Sequence, residues 1–216
     1  MGNIVQELIN KTYEELNQKK KPEQKSRMWT DPKGYQYLGV WQNAALLRVL
    51  IRKFTLTLPL RESRLKAQMD DCARSVKRNI EEGWKRPTSQ EYLNFLGYSQ
   101  ASLEELKGDI RDSKTDGFLK SIPGSTLLSK GFDLRVLKGP QKGKVWGEPT
   151  DSTHPYCKPL NTLNVHTLTY EEFVELINKT DWLLRTLVES VEKKQNQEHK
   201  YYQVEKDRLS LRFKNA

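Results

Sequence analysis

The chain has 216 residues and a formal net charge of +9, with 36% hydrophobic and 30% charged residues. This modest apolar content suits amphipathic helices, which bury one stripe each, better than a sheet buried on both faces. The sequence contains no run of 18 apolar residues, which excludes a membrane-spanning helix. It shows no secretory signal, and Cys72 and Cys157 lie far apart, so we expect a cytoplasmic protein without a disulfide.

The first 34 residues are interpreted as a helical arm followed by a linker. Apolar side chains recur there at roughly helical spacing, at Ile4, Val5, Leu8, Ile9 and Leu16. A run of lysines and Pro22 end this pattern. The arm is therefore a short amphipathic helix outside the main domain.

Two long helices are predicted next, over residues 37–58 and 62–84. Pro59 ends the first of them and leaves a tight turn before the second. Gly83 is placed where a helix end favours a residue that tolerates positive φ, and Pro87 prevents continuation. Short connections of this kind make neighbouring helices antiparallel.

Two capping boxes mark the starts of the remaining long helices. Thr88 with Glu91 opens a third helix that ends near residue 113, and Thr169 with Glu172 opens a fourth. The fourth helix carries the most regular apolar stripe and runs to about residue 197. A charged tail over 198–216 extends it and then frays.

Residues 114–168 break the helical pattern with five prolines and six glycines. An irregular stretch of this length inside a domain is functional, partly disordered, or both. The strand-like piece 132–137 predicts a hairpin. The fold class is thus all-α: an antiparallel up-down four-helix bundle over 35–197, with an N-terminal arm at 1–34 and a long insertion at 114–168.

The second and third helices carry an ordered set of motifs. These are Asn79-Ile80-Glu81-Glu82-Gly83, then Arg86, then Ser89 through Leu96 with Tyr92 and Phe95, then Ala101-Ser102-Leu103-Glu104-Glu105-Leu106. The set resembles the four-helix-bundle family also called the S23 or 23S rRNA intervening-sequence protein family. Glu81 departs from the family pattern, which has a small residue after the isoleucine. The resemblance covers about residues 35–113 and, more loosely, 169–195.

The resemblance implies an RNA-associated role. Family members resemble proteins encoded inside rRNA intervening sequences. They also resemble the accessory variability determinant of diversity-generating retroelements, a basic homopentamer that binds a reverse transcriptase and its RNA. We therefore expect a homo-oligomer, with a pentamer suggested. Large apolar residues off the predicted core, Trp84, Tyr98 and Trp182, also favour assembly.

The charge distribution agrees with a polyanionic partner. Between residues 48 and 86 there are eleven lysines and arginines and five acids, an excess of six positive charges. The predicted nucleic-acid-binding residues, which would contact phosphates of RNA or DNA, are Arg52, Lys53, Arg74, Lys77, Arg78, Lys85 and Arg86. Arg74 and Arg78 are four residues apart and share a helix face. The alternative is an ordinary solvated helix surface.

Two further groups of polar residues could form a site. Asn79 and Glu82 lie beside the predicted helix end, and we expect them to fix the turn by hydrogen bonds rather than contact a ligand. His154, Cys157 and His166 supply at most three zinc ligands, too few for a structural site, and no cofactor or metal is expected. No catalytic motif is present, so we predict no enzymatic activity. The alternative function is an oligomeric scaffold whose insertion recruits a protein partner.

Overall fold

The computed structural model describes residues 31–135 and 147–214, and in them the chain is all-helical. Five α-helices follow one another: α1 (Gly39–Thr55), α2 (Ser63–Trp84), α3 (Ser89–Thr115), α4 (Cys157–Thr162) and α5 (Tyr170–Lys214). One 3-10 turn precedes α1 and another precedes α2, and the described parts of the insertion contain two more. The fold-class prediction of an all-α protein is confirmed. The predicted arm lies, except for its last four residues, outside the described part of the chain.

The long helices contact one another in a closed cycle. Helix α1 packs against α2 and α5, and α3 packs against the same two helices. Contacts in two of these pairs show how the helices are oriented. Trp41 near the start of α1 bonds to Glu81 near the end of α2, whereas Thr55 at the end of α1 bonds to Asp70 early in α2. On the other side, Gln90 at the start of α3 bonds to Gln195 late in α5.

The predicted helix starts at the capping boxes are confirmed. Thr88 accepts a hydrogen bond from the Glu91 N–H at 3.2 Å, and α3 begins at the next residue. At α5 the exchange is reciprocal: Glu172 accepts from the Thr169 N–H at 3.0 Å, and its own N–H donates to Thr169 Oγ1 at 3.4 Å. Each side chain satisfies an N–H that the helix leaves unpaired.

The prediction that Gly83 ends α2 through a positive φ is wrong. Helix α2 continues to Trp84, and Gly83 is not among the glycines with positive φ. A Cβ at Gly83 would lie 2.7 Å from Tyr92 Cδ2 and 2.8 Å from Phe95 Cβ. The missing side chain therefore allows α2 and α3 to approach closely.

The glycine that ends a helix by positive φ is Gly117, just after α3. Its φ is 78°, its N–H donates to Lys114 O at 3.1 Å, and the Phe118 N–H donates to Ser113 O at 2.9 Å. This pair of bonds is the Schellman arrangement. It turns the chain from α3 into the insertion.

The described parts of the insertion pack onto the helices. Its buried apolar side chains join the same hydrophobic core as those of α1, α2, α3 and α5; they are Leu119, Leu127, Phe132, Leu134, Tyr156, Leu160 and Leu168. Residues 132–135 form no strand, and 136–137 lie outside the described residues, so the predicted hairpin gains no support. The one isolated β-bridge in the described ranges joins Lys120 to Thr169.

The core stripes agree with the sequence pattern. Leu184 and Ile80 are fully buried, and Leu65 packs against the same cluster while half-buried. Over residues 31–135 and 147–214 every helix is too short or too polar to cross a membrane. Of the three off-stripe aromatics, Tyr98 and Trp182 are exposed. Trp84 is half-buried instead, and its indole N–H donates to Asp31 O at 2.9 Å.

Candidate nucleic-acid interface

Helix α2 presents the predicted arginines along its outer face. Arg74 and Arg78 are four residues apart, and their side chains are about equally exposed, at 61% and 63%. Lys85 is exposed just after the helix ends. Because residues four apart lie one turn above each other, Arg74 and Arg78 share one face of α2. This face, together with Lys85, is called the basic strip.

Acidic side chains next to the two arginines reduce the positive charge of this strip. Arg74 is 3.0 Å from Asp71, and Arg78 donates to Glu81 at 2.9 Å. The Arg74–Asp71 pair is exposed on both sides and contributes little to stability, so a phosphate can replace this carboxylate at low cost. The Glu81 carboxylate is buried, but the Arg78 side chain that reaches it is 63% exposed and keeps a face open to solvent. The strip therefore remains available to an anion.

Arg52 lies across the groove between α1 and α2. Its guanidinium pairs with Asp70, which also accepts a hydrogen bond from Thr55. A hollow of about 430 Å³ opens here, lined by Arg48, Arg52, Ala67, Asp70, Asp71 and Arg74. Lys53 is half-buried on the next position of α1. The predicted residues of α1 thus border the strip rather than extend it.

Lys77 lies inside the protein, not on its surface, and this corrects its place among the predicted phosphate ligands. Its side chain is 6% exposed and its ammonium is 3.0 Å from Glu81 Oε1. It also pairs with Glu148 of the insertion and lies 5.2 Å from the centroid of the Trp41 ring. An ammonium enclosed in this way cannot reach a phosphate.

Glu81 is the centre of this buried cluster, and its residue type is unusual for its position in the motif. It is the residue that departs from the family pattern, where a small side chain stands. Burial alone would raise the pKa of its carboxyl, but hydrogen bonds from Trp41 and Lys77 and the charges of Lys77 and Arg78 together lower it. A charged Glu81 therefore ties α1, α2 and Lys77 together, which indicates a structural role.

The insertion is fastened at the same place. His154 Nδ1 accepts from the Tyr156 N–H at 3.0 Å, and Nε2 lies 3.1 Å from Gln42 Oε1. An imidazole that accepts at one nitrogen is neutral, and burial lowers the pKa of His154 to about 4. Together with the Lys77–Glu148 pair, this bond holds residues 147–156 against α1 and α2.

Arg86 takes a different position from the other predicted residues. Its guanidinium lies 4.4 Å from the centroid of the Phe95 ring on α3, and Phe95 in turn meets Tyr98 edge-on with centroids 5.8 Å apart. Arg86 is half-buried, and its Nε is buried without a hydrogen-bond partner. It therefore belongs to the seam between α2 and α3.

Asn79 and Glu82 lie on that seam too, and the predicted hydrogen bonds that would fix the turn are not made. Within the described residues neither side chain takes part in a hydrogen bond or ion pair. Asn79 is half-buried and Glu82 is exposed. Their structural role is not supported by the geometry.

The zinc ligands considered from the sequence do not come together. His154 is bound to Gln42, Cys157 contacts Thr150 O at 3.5 Å, and His166 is exposed at a separate turn. Within residues 31–135 and 147–214 no group of three or more His, Cys, Asp or Glu side chains could hold a metal ion.

Comparison with known proteins gave one match. Residues 36–131 match the family profile described as 23S rRNA-intervening sequence protein, which confirms the family suggested by the motifs. The match extends past α3 into the first part of the insertion and does not include α5. No curated protein and no solved structure matches the chain.

Proposed function

We propose that this chain, whose residues 36–131 carry the 23S rRNA-intervening sequence protein family profile, is a non-enzymatic protein that binds RNA through the basic strip of α2. The observation that carries the proposal is the exposed row Arg74, Arg78 and Lys85 within the matched segment. Arg52, Lys53 and Arg86 contribute at its borders. Lys77 takes no part.

The physics of the strip sets the expected mode of binding. Lysines and arginines that contact phosphates release counterions, so affinity falls steeply with salt and depends little on sequence. The second half of α3 carries the acidic positions Glu104, Glu105 and Asp112, and Glu105 accepts a hydrogen bond from Gln68 at the start of α2, so phosphates are repelled from this end of the helix pair. RNA is therefore expected along α2 and its junction with α3.

The test is a binding titration of labelled RNA at several salt concentrations. The variant Arg74→Ala/Arg78→Ala/Lys85→Ala should weaken binding and flatten the plot of log K against log salt by about 2, at ~0.7 per single-strand phosphate lost. A matched variant, Arg111→Ala/Lys120→Ala/Lys158→Ala, removes three exposed positive charges elsewhere. If the two variants have equal salt slopes, the phosphate contacts do not lie on α2. If the wild-type protein binds no RNA even at low salt, the proposal that it is an RNA-binding protein is refuted.

The second part of the proposal concerns assembly and partners. We propose that α1, α2, α3 and α5 form the up-down four-helix bundle and that copies of it assemble, with a homopentamer as the expected state. The observation that favours assembly is Trp182 on α5, a large apolar side chain that is 56% exposed. Light scattering should give a pentamer mass that Trp182→Glu lowers, whereas a wild-type monomer at micromolar concentration would remove the idea.

The cellular role follows from the same proposal. We propose an accessory factor of a reverse transcriptase in a diversity-generating retroelement. Co-purification of a reverse transcriptase with its RNA would support this role.

The scaffold alternative has its own observation. The insertion exposes Ile122 and Leu128, each 53% exposed, where a protein partner could pack. This alternative is favoured if the purified wild-type protein carries a protein partner but no RNA. Replacing both Ile122 and Leu128 with Asp should then release that partner.

A further inference from the structure

A stripe of polar residues on α2 faces the seam with α3. Asn79, Glu82, Gly83 and Arg86 follow one another at intervals of three, one and three residues, which places them along one side of the helix. Gly83 defines the direction of that side, because it faces Tyr92 and Phe95 of α3. Asn79 lies one turn before Gly83 and faces the same way.

Two contacts between α2 and α3 show which part of α3 lies opposite Asn79. Ser99 Oγ donates to Val76 O at 3.1 Å, and Gly83 lies against Phe95. Asn79 is between Val76 and Gly83, so it lies opposite the turn of α3 that runs from Phe95 to Ser99. Tyr98 belongs to that turn.

Aromatic and cationic groups form a short ladder along the seam. The Arg86 guanidinium covers the Phe95 ring, and the Phe95 ring meets Tyr98. Tyr98 ends the ladder with its side chain 59% exposed. The ladder therefore finishes in an open aromatic surface at the level of Asn79 along the helix pair.

The polar groups next to this surface are unused. Neither Asn79 nor Glu82 makes a side-chain hydrogen bond or ion pair within the described residues. An amide offers both donors and an acceptor, and a carboxylate accepts from amino groups. These are the groups that read the edge of a base, whereas a carboxylate repels a phosphate.

We propose that the seam between α2 and α3 binds one unpaired base of single-stranded RNA, stacked on Tyr98 with its edge toward Asn79 and Glu82. The proposal rests on the proposed function in that RNA is the ligand. It assigns a different task from the basic strip: Arg74, Arg78 and Lys85 hold the phosphates, while the seam selects the base. Single-stranded segments are required, because bases in an RNA duplex are already stacked and paired.

The experiment measures affinity for labelled oligomers of A, C and U and for an RNA duplex. Tyr98→Ala should lower affinity for the preferred single strand about tenfold, the usual size of a lost stacking contact, and leave the duplex and the salt slope unchanged. Asn79→Ala and Glu82→Gln should reduce the difference among the oligomers. Tyr201→Ala, which removes an 81% exposed tyrosine from α5, is the matched control.

The outcomes separate this proposal from the function it rests on. Because Tyr98 is exposed, its variant should melt like wild type, and circular dichroism verifies this. Equal single-strand affinities for Tyr98→Ala, Tyr201→Ala and wild type would overturn base binding at the seam while RNA binding survives. A wild type that binds no RNA at low salt would overturn both. A loss for Tyr98→Ala that extends equally to the duplex would also overturn the proposal, because a duplex presents no free base.

Discussion

Gly83→Ala tests whether close approach of α2 and α3 is what requires a glycine there. An added Cβ would lie 2.7 Å from Tyr92 Cδ2 and 2.8 Å from Phe95 Cβ. The Tyr92 ring is fully buried, and a Cβ is fixed to its own backbone, so neither neighbour can turn aside. The two helices have to separate.

Two effects of opposite sign determine how much Gly83→Ala changes the free energy of unfolding. Alanine is favoured over glycine inside a helix by about 1 kcal/mol. Overpacking a closed core costs about 1–3 kcal/mol, and contacts this short belong to the upper part of that range. The free energy of unfolding should therefore fall by about 1–2 kcal/mol, which lowers Tm by about 3–6 °C for a chain of this length.

Gly97→Ala on α3 is the matched control, because a Cβ there meets nothing within 4 Å. Only the helix preference remains, so this variant should raise Tm by about 2–4 °C. Thermal denaturation followed by circular dichroism compares the two. If Gly83→Ala melts as high as Gly97→Ala, the close approach of α2 and α3 does not exist.

Four further changes probe buried groups. Burial and the charges of Glu105 and Asp112 raise the pKa of Asp109 to about 6. Asp109 then holds its proton more tightly in the folded protein than in the unfolded chain, so its contribution to stability should fall as pH rises from about 4 to 6. The lowered pKa of Glu81 acts in the opposite direction, so the measurement is the difference between wild type and Asp109→Asn in urea denaturation; a difference that does not change with pH would contradict this. Lys77→Met should cost roughly 3 kcal/mol in the same assay, because Glu81 stays buried with fewer partners; no loss would refute the cluster's role. Leu184→Ala should cost about 2–5 kcal/mol through cavity formation, and an unchanged thermal melt would contradict its burial. Asn43→Leu should raise Tm, because neither amide atom of this buried side chain has a partner within the described residues, and a lower Tm would reveal an amide contact.

Local patterns were enough to predict the long helices α1, α2, α3 and α5, but not the short helix α4 inside the insertion. A side chain that caps a helix acts within four residues of itself, so Thr88 with Glu91 and Thr169 with Glu172 could be recognised from spacing alone. The apolar stripes likewise depend only on helical periodicity, and Leu184 and Ile80 are buried as their positions predict. The family motifs are contiguous and could be recognised in the same way.

The candidate site was predicted in part. Arg74, Arg78 and Lys85 are exposed, as a basic helix face suggests, but Lys77 looks the same in sequence and is buried. One of its two carboxylate partners, Glu81, is four residues away, but the other, Glu148, is 71 residues away, in the insertion. No local pattern reports a contact between segments so far apart in the chain.

The sequence by itself determined what depends on neighbours along the chain: helix starts, buried stripes, net charge and the family of residues 36–131. Tertiary structure decided what depends on two helices meeting. Gly83 is a packing residue only because Tyr92 and Phe95 lie against it, and Ser99 reaches the Val76 carbonyl only because α3 runs antiparallel to α2 at that separation. The physical reason is that helix periodicity fixes the direction of a side chain around its own axis, whereas the neighbour it meets is set by the packing of the whole core.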